Sequence, residues 1–412
     1  LTVRGDIRQV GGAQAVTVGA SASGPMRLDA GAALTIASLD AGTAAVALAS
    51  RAGSIVDADS GSDTLDIRAG EVWLDASDDI GAQVLAGGAP GQNGLQANPI
   101  DLRANTVAAR SAGGLRLNAS ESVSIGAVRL DLFSLSGTGL TTTDGGDISY
   151  SAGSSTSANT VMRVDSLVST SGSGGVSLQA SGSGARIGVK ADILSGMGLL
   201  RLSATTSVDA LDQARLIAQG DIEIRAAQGL RLVDADGLQS NGSIGRDAGS
   251  SLGVLRIVGN QTLAAGQSLS LRLQGNAATL HDRLEVSGTL SLAGNLALQI
   301  PSFTDSTAYA PDLAQQFDLV SAGQISGRFS TAEGLFGYDD GSTVLSVVQA
   351  TPAQGSASLS LTTLQRPAAD TVSIQAHHKT DADRLGMFFN AAYFGEGQSY
   401  YPVGMTLTSH QF

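Results

Sequence analysis

Short runs that alternate apolar and polar residues and close on Ala recur along most of the chain. Examples are Met26-Arg27-Leu28-Asp29-Ala30, Leu65-Asp66-Ile67-Arg68-Ala69, Glu71-Val72-Trp73-Leu74-Asp75-Ala76, Ile100-Asp101-Leu102-Arg103-Ala104, Leu115-Arg116-Leu117-Asn118-Ala119, Leu200-Arg201-Leu202-Ser203-Ala204 and Ile222-Glu223-Ile224-Arg225-Ala226. A period of two places the apolar pair and the Ala on one face of a short strand and the Arg, Asp or Glu on the other. Gly, Ser, Asp and Asn interrupt the runs too often for helices to form. The runs return about every ten residues, so two or three of them make a coil of roughly 20 to 30 residues. Stacked coils bury equivalent side chains in parallel ladders. The expected fold is all-β, a right-handed parallel β-helix with a C-terminal β cap region. An antiparallel sandwich would need tight hairpin turns at regular spacing. Asp144-Gly145, Asp236-Gly237 and Asn241-Gly242 are available, but most turns are looser Gly/Ser clusters.

Composition agrees with thin, repetitive layers. Hydrophobic residues make up 42% of the 412, yet aromatics only 4%, so the core must be aliphatic. No Cys is present, which excludes a disulfide framework. The net charge is −13, and the only lysines are Lys190 and Lys379. No basic track forms, so nucleic-acid binding is not expected. No apolar run reaches the roughly 18 residues of a transmembrane helix. The chain begins at Leu1 without a signal-like segment and reads as a piece of a larger precursor or a processed form.

Three regions are expected: a repetitive shaft over 1–258, a C-terminal β-rich region over 259–365 where the runs lengthen, and a tail over 366–412. Two stretches break the rhythm of the shaft, 87–99 and the Ser/Thr/Gly-rich 138–160, and read as protruding loops able to carry a binding surface. Ile-Gly steps at Ile80-Gly81, Ile187-Gly188 and Ile244-Gly245 read as strand ends that turn sharply on a glycine.

The stretch His281-Asp282-Arg283-Leu284-Glu285-Val286-Ser287-Gly288-Thr289-Leu290-Ser291-Leu292-Ala293-Gly294, with its sequel from Phe317 to Phe329, resembles the end of the passenger region in large bacterial autotransporters and filamentous-haemagglutinin-like exoproteins. The preceding rhythm resembles their repeat body, so the likeness covers about residues 1 to 365. It implies a secreted or cell-surface adhesin of a Gram-negative bacterium, exported with an outer-membrane secretion partner. Implied partners are other copies of the chain, or glycans and proteins of a host or neighbouring cell. The sequence departs from that pattern in two ways. Nothing after residue 365 is long enough for a membrane β-barrel, and no two-partner secretion signal is recognisable.

The tail concentrates aromatic residues: Phe388, Phe389, Tyr393, Phe394, Tyr400, Tyr401 and Phe412. They read as a cap on the last coil, as an assembly contact, or as part of a disordered tail. Asp57, Asp59 and Asp63 alternate around Gly61 like the start of a Ca²⁺ loop, but Arg68 stands where a closing Glu belongs, so a solvated turn is the competing reading. His377, His378, Asp381 and Asp383 read as surface polar residues, because adjacent histidines on a strand diverge. Arg4-Gly5-Asp6 matches a receptor tripeptide that chance produces easily.

For catalysis the only adjacent acid pairs are Asp78-Asp79 and Asp339-Asp340, and neither has an aromatic platform nearby for stacking sugar. No phosphate loop or His-Glu-x-x-His zinc pattern occurs. A non-enzymatic extracellular scaffold or adhesin segment is the expected function, with no cofactor beyond the Ca²⁺ candidate. The alternatives are a polysaccharide-processing lyase or glycosidase, and a protomer of an ordered surface filament.

Overall fold

A computed structural model describes residues 2–3, 7–10, 16–58, 64–81, 98–131, 134–211, 213–299, 312–338, 343–350 and 356–365. Among them there is no α-helix, and the strands pair almost entirely in parallel. The chain is a parallel β-helix, an all-β solenoid with no closed barrel, as the period-two runs predict. It divides into two compact units, one of residues 1–237 with 247–251 and the other of residues 238–246 with 252–412.

In the first unit the strands stack rung on rung in two parallel sheets. In one sheet Leu115, Ile148, Val176, Leu200 and Ile222 form one inward column, and Leu117, Tyr150, Leu178, Leu202 and Ile224 a second. Ala119, Ala152, Ala180 and Ala204 form a third. Apart from Ala204, at 7%, no residue in these columns is more than 2% exposed. The closing Ala of each run is therefore a packing residue, small enough to fit where the strand bends into its turn. The facing sheet has the same construction: Met26, Val46, Val72 and Val107 stack, as do Leu28, Leu48, Leu74, Ala109 and Leu140. Burying each Val, Leu or Ile contributes about 1.5–3 kcal/mol, and the repeated columns make this the dominant stabilisation. Equivalent rungs lie 22 residues apart at Arg201 and Glu223 and 33 apart at Asn118 and Ser151. Coil length varies while register is kept, because extra residues go into the turns.

Hydroxyls serve the strand ends. Ser111 donates to the Gly113 carbonyl at 3.0 Å, Thr142 to Gly146 at 2.6 Å, Thr170 to Gly174 at 2.8 Å and Ser195 to Gly198 at 3.2 Å. Each gives a turn carbonyl a hydrogen-bond partner. This revises the reading of 138–160 as a protruding loop. Leu140–Thr142 and Ile148–Ala152 are ordinary rungs of the two sheets. Their Ser and Thr residues look loop-like in sequence because they face outward or bond to turns. The outgrowth lies just before them, where Ala127–Leu130 and Leu135–Thr138 pair as an antiparallel hairpin. The Ile-Gly reading holds at Gly81, which has φ +74°. Gly188 lies within strand Arg186–Val189 instead, and Gly245 ends strand Ser243–Gly245 without a positive φ.

In the second unit, Val254–Val258, Arg283–Leu292 and Gln316–Gly327 continue one parallel sheet, with Ser243–Gly245, Ser268–Arg272, Asn295–Gln299 and Thr331–Glu333 in another. The pattern then reverses. Gln316–Gly327 pairs antiparallel with Ala357–Gln365, which pairs antiparallel with Thr343–Ala350. The edge on which another parallel rung would build is covered by this hairpin, as expected of a terminal cap.

One column member carries a polar group it does not need. The Tyr150 ring is 1% exposed and its hydroxyl is buried without a hydrogen-bond partner. Burial holds the phenol far above its ordinary pKa. Tyr150→Phe keeps the ring in the column and removes the orphaned hydroxyl, so it should raise stability by about 1 kcal/mol, read as a higher denaturation midpoint at unchanged m-value.

Candidate functional site

Strict alternation leaves the outward side chains as the protein's working surface, and most of them pair between rungs. Arg110 grips Asp75 through Nε at 3.1 Å and Nη2 at 2.9 Å. Arg215 does the same to Asp192 at 3.0 and 2.6 Å, which lowers the Asp192 pKa. Glu223 is nearly buried. Burial raises its pKa, but Nε–H bonds from Arg225 (2.6 Å) and Arg201 (2.7 Å) outweigh that and hold it ionised. On the same sheet as Glu223, Asn118 donates to Asp101 and accepts from Ser151, linking three successive rungs. An open groove of about 440 Å³ crosses the rungs beside Arg51, Asp75, Ser77, Arg110, Ser111 and Thr143. Both of its arginines are already paired, Arg110 with Asp75 and Arg51 with Asp29.

The single Trp faces outward between two alanines, with Ala47 and Ala108 as its register partners on either side. An aromatic ring on the flank of a β-helix is the surface a sugar would stack on. Here it is roofed. Val128, Leu130 and Leu135 of the antiparallel hairpin pack over Ala47, Trp73 and Ala108. The Arg129 N–H donates to Glu71 Oε2 at 3.3 Å, and a Cβ on Gly137 would overlap the Trp73 ring. Gly137→Ala should therefore lift the hairpin off the ring, destabilise the fold by about 1–3 kcal/mol, and shift the tryptophan emission to the red.

The acid pair Asp78-Asp79 is built into turns. The Gly114 N–H donates to Asp79 Oδ1, and Ser54 Oγ donates to Asp78 Oδ2 at 3.3 Å. Asp339 and Asp340 lie outside the described residues, as do Asp59, Asp63, Arg4-Gly5-Asp6, the loop residues 87–97, and the tail with its histidines and aromatics. Asp57 is described and is no solvated turn residue. It ends strand Ile55–Asp57 at the register position of Ile36, is 5% exposed, and accepts from Asn98 Nδ2 at 2.6 Å. Among the described residues no group of three or more His, Asp or Glu side chains is arranged to hold a metal.

Two polar centres escaped the sequence reading. Asp66 reads as the outward residue of its run, but it is fully buried while Leu65 is 36% exposed. The strand starts only at Ile67, so Asp66 stands just before it, although its N–H and C=O already bond to Asp101 and Leu39 of the flanking strands. The other centre is Asp282, at the heart of the stretch that carries the exoprotein resemblance. Its carboxylate accepts from Arg272 Nε (2.7 Å), Nη2 (3.1 Å) and N–H (3.1 Å), and from the Gly253 N–H at 3.2 Å. Arg246 Nε stands 3.9 Å away, with both side chains 1% exposed. Next to it His281 meets Phe317 edge-on at 6.1 Å. The pattern His-Asp-Arg before a long strand was the visible signal; the distant arginines were not.

No protein-family model matches the sequence, and no curated protein matches it. The likeness to exoproteins thus rests on residues such as Asp282 and the strands that follow it. Asp282→Asn keeps the shape but leaves Arg246 and Arg272 short of their shared counter-charge, and should cost about 3–5 kcal/mol in chemical denaturation of the second unit.

Proposed function

We propose that the chain is a non-enzymatic extracellular scaffold or adhesin segment of a bacterial surface exoprotein, presenting its flanks to glycans or proteins of neighbouring cells. The observation that carries the reading is the fate of the groups an enzyme of this fold would use. Trp73 is packed beneath a hairpin, and the outward carboxylates Asp75, Asp79, Asp192 and Glu223 are each committed to an arginine or a turn amide. Such pairing stiffens a shaft. It also leaves Asp192 and Glu223 poor general acids, because a carboxylate held ionised by a guanidinium has no proton to give near neutral pH.

The exoprotein resemblance adds the location, a Gram-negative cell surface reached through an outer-membrane secretion partner. Axial polymerisation is the weaker reading, because the antiparallel strand Ala357–Gln365 occupies the sheet edge that a further parallel rung would extend. A scaffold of this kind attaches to cells when immobilised on beads. Attachment should be unchanged in an Asp78→Asn/Asp79→Asn variant. Release of shortened or unsaturated sugars from a polysaccharide panel, lost in that variant, would replace this reading with the enzymatic one.

A further inference from the structure

The open groove of about 440 Å³ on the first unit crosses the outward face of strands Ala45–Ser50, Glu71–Ala76 and Thr106–Ser111. Ala49, Asp75 and Arg110 are register partners on these three rungs, and Ser50, Ala76 and Ser111 form the next set. Arg51 follows Ser50, so the two arginines stand on rungs two apart, roughly 10 Å along the ladder. The floor between them is small, made by Ala49, Ala76 and Ala112. Ser50 and Ser111 donate their hydroxyls to the Ala32 and Gly113 carbonyls. The hydroxyl of exposed Thr143, on the rim, makes no bond among the described residues.

The ion pairs of this groove leave both guanidinium forks open to a ligand. Asp29 is held by Arg27 through Nε at 3.1 Å and Nη2 at 2.8 Å, so Arg51 reaches a carboxylate already in use, at 3.4 Å on its other oxygen. The Arg51 and Arg110 side chains are 61% and 59% exposed. Exposed pairs of this kind are weak, and a guanidinium has five donors, so a second carboxylate can bind the N–H groups that the first does not use. Arg27 and Asp29 cancel. The walls then carry two arginines against Asp75, a positive spot on a chain of net charge −13. Asp78 and Asp144 follow the wall residues Ser77 and Thr143 without lining the groove, and Asp78 accepts from Ser54 Oγ.

We infer that this groove binds an acidic glycan, with sugar carboxylates on Arg51 and Arg110 and a sugar hydroxyl on Thr143; the inference rests on the reading of the flanks as an attachment surface. Three features favour a glycan over an acidic protein. Among the described residues the lining has no aromatic or large apolar side chain of the kind that anchors protein interfaces. Strand Glu71–Ala76 is paired on both sides, so no open edge accepts a peptide strand there. Two cationic forks on rungs two apart suit a chain that repeats its carboxylate, whereas a single small anion reaches one of them. Asp75 competes with the ligand for Arg110.

Binding of the full chain to immobilised polygalacturonate, with the methyl-esterified polymer as its uncharged twin, tests this. The wild type should be retained by the acid form only. Arg51→Gln and Arg110→Gln should each weaken binding roughly tenfold, the loss of one charge-assisted contact. Asp75→Asn removes the competing carboxylate and should tighten binding by about the same factor, a gain that misfolding cannot mimic. Unchanged emission of Trp73, on the same strand as Asp75, shows that each variant keeps its fold. The proposal is overturned if both polymers retain the chain alike, if the arginine variants bind as the wild type does, or if Asp75→Asn binds no tighter. It is also overturned if polyglutamate of equal charge competes as well as the glycan, which would make the groove a protein contact. Cell attachment without polygalacturonate binding sinks the groove alone, whereas release of shortened sugars sinks the scaffold reading.

Discussion

Coil-on-coil stacking in strict parallel register is the constraint on which everything else in this molecule depends. Once Leu117, Tyr150, Leu178, Leu202 and Ile224 lie one above another, the alternate residues of every rung are forced outward, also in columns. A shift of one residue would turn the whole apolar set to water. The register therefore fixes both the core and the surface. Outward ion pairs such as Arg201–Glu223 and Arg110–Asp75 are consequences of it, because residues far apart in sequence become neighbours at a rung's spacing. Aliphatic and small side chains suffice for such a core, which is why a chain with 4% aromatics can still fold.

The period-two runs made the strands and their inward faces legible, since each run reports its own alternation. Sequence reading succeeded where local pattern and tertiary position coincide, as in Leu115–Ala119 or Leu200–Ala204. It failed where the chain departs from the ladder without changing its wording. Leu65-Asp66-Ile67 has the form of the other runs, but the strand begins at Ile67, and Leu65 and Asp66 exchange the environments expected of them. The stretch 138–160 failed in the other direction: its hydroxyl-rich wording hid two regular rungs, because Thr142 bonds a turn carbonyl and Ser151 bonds the outward Asn118 side chain. The hairpin over Trp73 was also hidden, since its strands are short and its contacts are to rungs far back in the chain.

The exceptions to regularity are the places where the fold concentrates its polar chemistry. In the second unit a buried carboxylate, Asp282, gathers two arginines and two backbone amides just where the long strand Arg283–Leu292 begins. Along the described flanks of the first unit, outward acids pair with arginines and the Trp73 ring is roofed.

Because the chain has no native Cys, the parallel register is open to a direct chemical test. Ser149 and Ser177 are register partners on adjacent rungs, at a spacing of about 4.8 Å that a disulfide spans. In the double variant Ser149→Cys/Ser177→Cys, mild oxidation should join the two within one chain. The offset pair Ser149→Cys/Gln179→Cys, two residues out of register, should remain reduced under the same conditions. Equal cross-linking of both pairs, or of the offset pair alone, would contradict the parallel β-helix.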